Sequence, residues 1–119
     1  MKVAIIGAGS LGQSIAKGLL INNVVSALYL TKRNTDSLIK FNEYKEVVLT
    51  SDNREAVKNA DILIFAVQPR HFNRILESIQ PLLTDNHVLI SVITGFSIAK
   101  IETIVGASTS IIQKRLYTF

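Results

Sequence analysis

The fold is decided by the stretch Lys2-Val3-Ala4-Ile5-Ile6-Gly7-Ala8-Gly9-Ser10-Leu11-Gly12. A short apolar, β-prone run leads directly into a complete GxGxxG, before a helical pattern begins. The order is strand, glycine turn, helix. Each glycine has a separate physical task in such a unit. Gly7 permits the tight turn out of the strand, Gly9 lets a pyrophosphate approach the backbone, and Gly12 lets the helix lie close to the strand. The unpaired N–H groups and positive dipole end of the helix face the same point, so an anion is favoured there without a charged side chain. A glycine turn alone is a weak signal. Here a strand precedes it, Leu11, Ile15, Leu19 and Leu20 give a helix face after it, and another strand follows, which is the context a dinucleotide site requires.

Working outward, Asn22-Asn23 stops the first helix and Ala27 to Thr31 forms the second strand. Where a unit preferring NAD places an Asp or Glu for the ribose 2′-hydroxyl, the chain has Thr31-Lys32-Arg33-Asn34. No carboxylate is there to repel a 2′-phosphate, and two cations with hydroxyl and amide donors suit one. NADP(H) is therefore expected ahead of NAD(H).

Asn34 to Phe41 suggests a short helix and Glu46 to Thr50 a third strand. Asp52 and Glu55 have the spacing of a helix N-cap, followed by a helix over Asn53 to Asn59. Ile62 to Val67 is apolar and β-branched, as in a central parallel strand buried on both faces. Gln68-Pro69 closes it, because Pro69 forces Gln68 to be extended and suits the opening of a helix. That helix, from about Arg70, carries Phe72, Ile75, Leu76 and Ile79, and Pro81 limits its end. His71 lies near its start, with a surface or capping role expected. Val88 to Ile93 is a fifth strand and Thr94-Gly95 a turn. Ser97 caps a helix carrying Ile98, Ile101, Ile104 and Val105, and Ser108 to Ile112 offers a sixth strand. Strands alternating with helices imply an α/β, doubly wound parallel sheet of Rossmann type, with right-handed crossovers and strand order 3-2-1-4-5-6. The ligand crevice then falls at the carboxyl ends of strands one and four, setting Gly7 to Leu11 against Ala66, Val67, Gln68 and Pro69.

At 119 residues the chain suits one domain, residues 1–119, with 107–119 as last strand and truncated connection. Its longest apolar runs fall far short of a membrane span, and the first strand leaves no room for a signal peptide. Neither a membrane nor a secretory route is expected. With no cysteine, disulfides and thiolate metal sites are excluded, no metal is expected, and a cytoplasmic location follows. The net charge of +4 comes from 13 scattered Lys and Arg without an aromatic-interleaved stripe, so no nucleic-acid partner is expected.

The segments Ile6-Gly7-Ala8-Gly9-Ser10-Leu11-Gly12, Ile15-Ala16-Lys17-Gly18-Leu19, Thr31-Lys32-Arg33-Asn34, Asn53, Phe65-Ala66-Val67-Gln68-Pro69 and Ser91-Val92-Ile93-Thr94-Gly95, with Ile98 and Ile101, occur in the order seen in one family. From residue 2 to about 105 the chain resembles pyrroline-5-carboxylate reductase. The resemblance implies reduction of 1-pyrroline-5-carboxylate to proline, in proline biosynthesis, with hydride from NAD(P)H. It implies that Gly7, Ala8, Gly9, Ser10 and Leu11 hold the pyrophosphate and Arg33 and Asn34 the 2′-phosphate end. Asn53 would then meet the adenosine, and Ala66, Val67 and Pro69 would lie against the nicotinamide and its ribose. Gln68 stands where the family usually has Lys.

Family members continue into a helical second domain that dimerises and completes the substrate site. Here that domain is expected to be missing. The chain by itself is therefore expected to be inactive, with at most weak homodimerisation and a small-molecule substrate only in its full-length parent. No catalytic residue is assigned. Two other readings stand beside this one: the cofactor domain of another two-domain NAD(P)-dependent reductase, and a non-enzymatic module that senses NADP(H).

Overall fold

The computed structural model describes residues 1–93 and the backbone of 116–118. Its elements in chain order are β1 (Lys2–Ile6), α1 (Ser10–Ile21), β2 (Ala27–Thr31), a 3-10 segment (Thr35–Glu43), β3 (Val47–Thr50), α2 (Asn53–Asn59), β4 (Ile62–Phe65), α3 (Pro69–Ile79), a 3-10 turn (Gln80–Leu82), β5 (Val88–Ser91) and β6 (Leu116–Thr118). They form a six-stranded sheet of order β3-β2-β1-β4-β5-β6 in which every pairing is parallel. This is the doubly wound topology expected from the alternation of elements.

β1 is the centre of the sheet because it is apolar on both faces. Val3 and Ile5 point into one core with Leu28, Leu30 and Ile64, covered by Ala16 and Leu20 of α1 and by Leu38 and Phe41. Ala4 and Ile6 point into the other with Leu63, Phe65 and Leu89, covered by Ala56 and Val57 of α2 and Phe72, Leu76 and Ile79 of α3. The period-two alternation of a strand thus divides one short run between two cores. In α3, Phe72, Leu76 and Ile79 recur at helical spacing and are fully buried. The Phe72 ring meets Phe65 at 5.4 Å between centroids, tilted by 48°, a geometry worth about 0.5–1.5 kcal/mol beyond the buried area.

Several boundaries differ from the sequence expectations. β4 stops at Phe65 rather than Val67, since β1 ends at Ile6 and Gly7 turns away with φ +83°. Beyond that point only the Ala66 N–H still reaches the Ile6 carbonyl, at 2.9 Å. The fifth strand likewise ends at Ser91 rather than Ile93. The helix expected over Asn34 to Phe41 is a 3-10 segment over Thr35–Glu43. Its two buried residues, Leu38 and Phe41, are three apart, which fits a three-residue turn. Leu11, expected on the buried face of α1, is 53% exposed, and Gly12, Ala16 and Leu20 form that face instead. The sixth position in the sheet is taken by Leu116–Thr118, in register with Leu89, Ile90 and Ser91. Residues 108–112, the Thr94-Gly95 turn and the helix capped by Ser97 lie outside the described residues.

Candidate dinucleotide site

The C-terminal ends of the parallel strands share one edge of the sheet, and the site is built there. Gly7 leaves β1 in the left-handed region, and a Cβ on it would strike the Val67 side chain and come within 2.9 Å of Val67 Cα. At Gly12 a Cβ would lie 3.1 Å from Ile5 Cγ2 and 3.2 Å from the Gly7 carbonyl oxygen. Packing within the fold thus accounts for glycine at position 7 and leaves little room for a side chain at Gly12. Gly9 differs: nothing lies within 4 Å of the place where its Cβ would be, and its φ of −79° suits any residue. The chain keeps open space above Gly9 that packing does not need. Gly9 is also the N-cap of α1 and supplies no side chain to that helix end, and no acid stands in the first turn. The amides there keep their capacity to donate to something outside the helix.

The turn is fastened from β2. Gly7 N–H donates to Thr31 Oγ1 at 3.1 Å and Ala8 N–H to the Thr31 carbonyl at 2.7 Å. Gln13 Nε2 donates to the Ala8 carbonyl at 3.1 Å. Thr31 is buried, and both its hydroxyl and its carbonyl oxygen hold the turn. The pairing Ile6↔Thr31 carried this signal, but only register, invisible before the strands are paired, reveals it.

Beyond Thr31 the next three residues are treated differently by the fold. Lys32 Nζ donates to Ser37 Oγ at 2.8 Å, and Asn34 Oδ1 accepts from Asp36 N–H at 2.9 Å, capping the 3-10 segment. Arg33 is exposed and makes no hydrogen bond among the described residues. Asn53 opens α2 half-buried at the same edge of the sheet. Asp52 caps α2 through Arg54 N–H at 2.9 Å. Glu55 turns to Thr50, whose hydroxyl donates to it at 3.1 Å.

On the far side of the glycine turn, Leu11, Ala66, Val67, Gln68 and Pro69 line a cleft of about 260 Å³ together with Val92 and Ile93. The structure thus joins Leu11 to the whole segment after β4, and adds Val92 and Ile93, which belong to a family-like segment of the sequence but were not assigned to the site. Their signal was position alone, just past the end of β5. Gln68 is the exposed N-cap of α3 and makes no side-chain capping bond.

His71 sits between two guanidinium groups. Arg70 Nε donates to its Nε2 at 3.2 Å, and Arg74 Nη2 lies 3.3 Å from its Nδ1. Partial desolvation, then the charges of Arg70, Arg74 and Arg33, push its pKa below the ordinary histidine value of 6.5. Ser91, another group beside the crevice, is buried and accepts from Ile93 N–H at 3.4 Å. Thr94 and Ser97 lie outside the described residues. No set of acid, base and nucleophile is assembled among the described residues, nor is there a cluster of three His, Cys, Asp or Glu able to hold a metal.

A family model described as NADP oxidoreductase coenzyme F420-dependent matches residues 2–95. The chain belongs to that family. Within it, the chain is 36% identical over 103 residues to pyrroline-5-carboxylate reductase 2 of Dictyostelium discoideum, covering 85% of this chain and 34% of that one. Among solved structures, a pyrroline-5-carboxylate reductase of Coxiella burnetii superposes with a TM-score of 0.81 and 30% identity, over 89% of this chain and 40% of the other. The Plasmodium falciparum pyrroline carboxylate reductase, solved with NADP bound, gives 0.75 and 27%, over 90% and 38%. The chain therefore spans between a third and two fifths of the length of these relatives. Prephenate dehydrogenase of Aquifex aeolicus, at 21% identity and a TM-score of 0.78 over 99% of this chain and 42% of the other, shares the fold.

Proposed function

We propose that residues 1–119 form the NADP(H)-binding unit of an imine reductase that converts 1-pyrroline-5-carboxylate to proline. One observation carries the dinucleotide reading. Gly9, alone of the three motif glycines, has open space over its Cβ position, and that space borders the uncapped start of α1. A glycine kept where the fold tolerates a side chain is explained by a ligand that needs the room. The diphosphate fits this place, with amides of Ser10, Leu11 and Gly12 aimed at it. Arg33 and the amide of Asn34 suit the 2′-phosphate, and Lys32 adds charge beside them. The apolar cleft of Leu11, Ala66, Val67 and Pro69 suits the nicotinamide, with Gln68 at its rim and Asn53 toward the adenosine. When bound, the dinucleotide supplies the hydride. The chain's own residues bind it, fix its orientation and keep one side of the ring dry.

The relatives' names support the substrate, and the NADP-bound Plasmodium relative supports the cofactor. The same reading makes the protein cytoplasmic, with a small molecule as its partner rather than a nucleic acid, and with weak self-association at most. Among the described residues no helix is long and apolar enough to cross a membrane.

The test is calorimetric titration of the purified chain with NADPH. Saturable one-to-one binding, lost in Gly9→Val, supports the proposal, and absence of binding refutes it. For the substrate, a protein carrying this unit should oxidise NADPH on addition of 1-pyrroline-5-carboxylate, with its Gly9→Val variant as blank. Turnover of other carbonyl or imine compounds but not this one would redirect the assignment.

A further inference from the structure

We propose that Arg70 and Arg74, at the start of α3, join Arg33 beyond β2 in one site for a phosphate monoester, occupied by the 2′-phosphate of the dinucleotide. The inference rests on the dinucleotide reading above and extends it to an element that neither the glycine motif nor the Thr31-Lys32-Arg33-Asn34 segment includes.

The topology sets the geometry. In the order β2-β1-β4, the C-terminal ends of β2 and β4 flank that of β1 on the same edge. Two strand spacings amount to roughly 10 Å, a gap that two arginine side chains bridge from either side. Arg33 stands two residues past β2, and Arg70 is the second residue of α3, which opens soon after β4. The glycine turn lies between them.

The local contacts gather cationic donors around one ring. Arg70 and Arg74 both turn to the ring of His71, one at each nitrogen. A neutral imidazole has one acceptor nitrogen, and its other nitrogen carries a proton. Both guanidinium groups are pure donors, so one of the two contacts sets N–H against N–H. Among the described residues no carboxylate bonds to Arg33, Arg70 or Arg74. Three like charges thus act on one ring with no carboxylate among the described residues to offset them, and a phosphate placed there would relieve their repulsion. Guanidinium groups suit that partner because their planar forks match phosphate oxygens two at a time. The other nearby donors are partly occupied: Lys32 is held by Ser37, and Asn34 has only its amide NH2 left beyond its cap bond. The depressed pKa of His71 reports the same crowding of charge, with Arg33 among its causes.

The experiment compares the native chain with an Arg70→Ala, Arg74→Ala double variant, titrated with NADPH, NADH, 2′,5′-ADP and 5′-AMP. Both residues are exposed and alanine favours the helix, so the variant keeps its fold, as unchanged thermal unfolding will show. Loss of charge-assisted bonds should weaken NADPH and 2′,5′-ADP by about 10-fold or more. NADH and 5′-AMP should change little, and Arg74→Lys should retain part of the preference. An unchanged NADPH affinity, or an equal loss for all four ligands, overturns the inference. Native chain that prefers NADPH while the double variant keeps that preference refutes this site alone. Native chain that binds no dinucleotide refutes the underlying reading and this site with it.

Discussion

Gly7, Gly9 and Gly12 share a motif but not a reason. Gly7 holds a positive φ against Val67, and a Cβ on Gly12 would press on Ile5 and the Gly7 carbonyl, whereas a Cβ on Gly9 would meet nothing. Substitution separates these roles. Gly9→Val should leave unfolding by urea nearly unchanged and abolish NADPH binding. Gly7→Ala should destabilise the fold by about 1–3 kcal/mol or more, because it combines backbone strain with overlap. If Gly9→Val unfolds the chain, the open space over Gly9 has been misassigned. His71 offers a second test at this scale. Its folded pKa lies below the ordinary value, so between that pKa and 6.5 the unfolded chain binds more protons. Its contribution to stability is then fully present above pH 6.5 and is lost as pH falls toward the folded pKa. By NMR, the ring protons of His71 should titrate below the ordinary histidine midpoint, and Arg74→Ala should move the midpoint up. A midpoint indifferent to Arg74 would contradict the contact.

Among the elements, α1 and α2 each present a measurable choice. Gly18, exposed in α1, has nothing within 4 Å of its Cβ position, so Gly18→Ala should stabilise the helix by about 0.5–1 kcal/mol. Its urea midpoint should rise with unchanged slope. At the other end of the sheet, before β5, His87 is 6% exposed. Its Nε2–H donates to the Val57 carbonyl in the last turn of α2 at 3.0 Å, and its Nδ1 accepts from Thr84 N–H at 3.0 Å. That pair fixes the tautomer and closes the end of a short helix. His87→Ala should cost about 1–3 kcal/mol for the stranded carbonyl alone, with nicotinamide-dinucleotide affinity unaltered. Equal stability of the variant would show that water replaces the ring.

For the whole molecule, the strand order was legible because β1, β2, β4 and β5 carry apolar runs in a regular alternation with helices. The parallel sheet needed nothing more than that alternation and the handedness of its crossovers. The ends of β4 and β5 were misjudged because Ala66-Val67 and Val92-Ile93 are as β-prone as the strands they follow. The turn at Gly7 removes the neighbour of Ala66-Val67. Leu116–Thr118 was not singled out as a strand because three residues carry little pattern of their own, and pairing with Leu89 to Ser91 places them in the sheet. In the candidate site, the glycine turn and the segment after β4 were legible from local pattern. The burial of Thr31, the engagement of Lys32 and the gathering of Arg70 and Arg74 around His71 depend on tertiary contacts that no local pattern encodes.

The central claim is that this sheet edge holds a dinucleotide bearing a 2′-phosphate, and side-by-side calorimetry of NADPH and NADH on the native chain and Arg33→Ala tests it most directly. The account predicts tighter binding of NADPH by the native chain, a loss of about 10- to 100-fold for NADPH in Arg33→Ala, and little change for NADH. Equal affinity of the native chain for the two dinucleotides, or binding of neither, would contradict it.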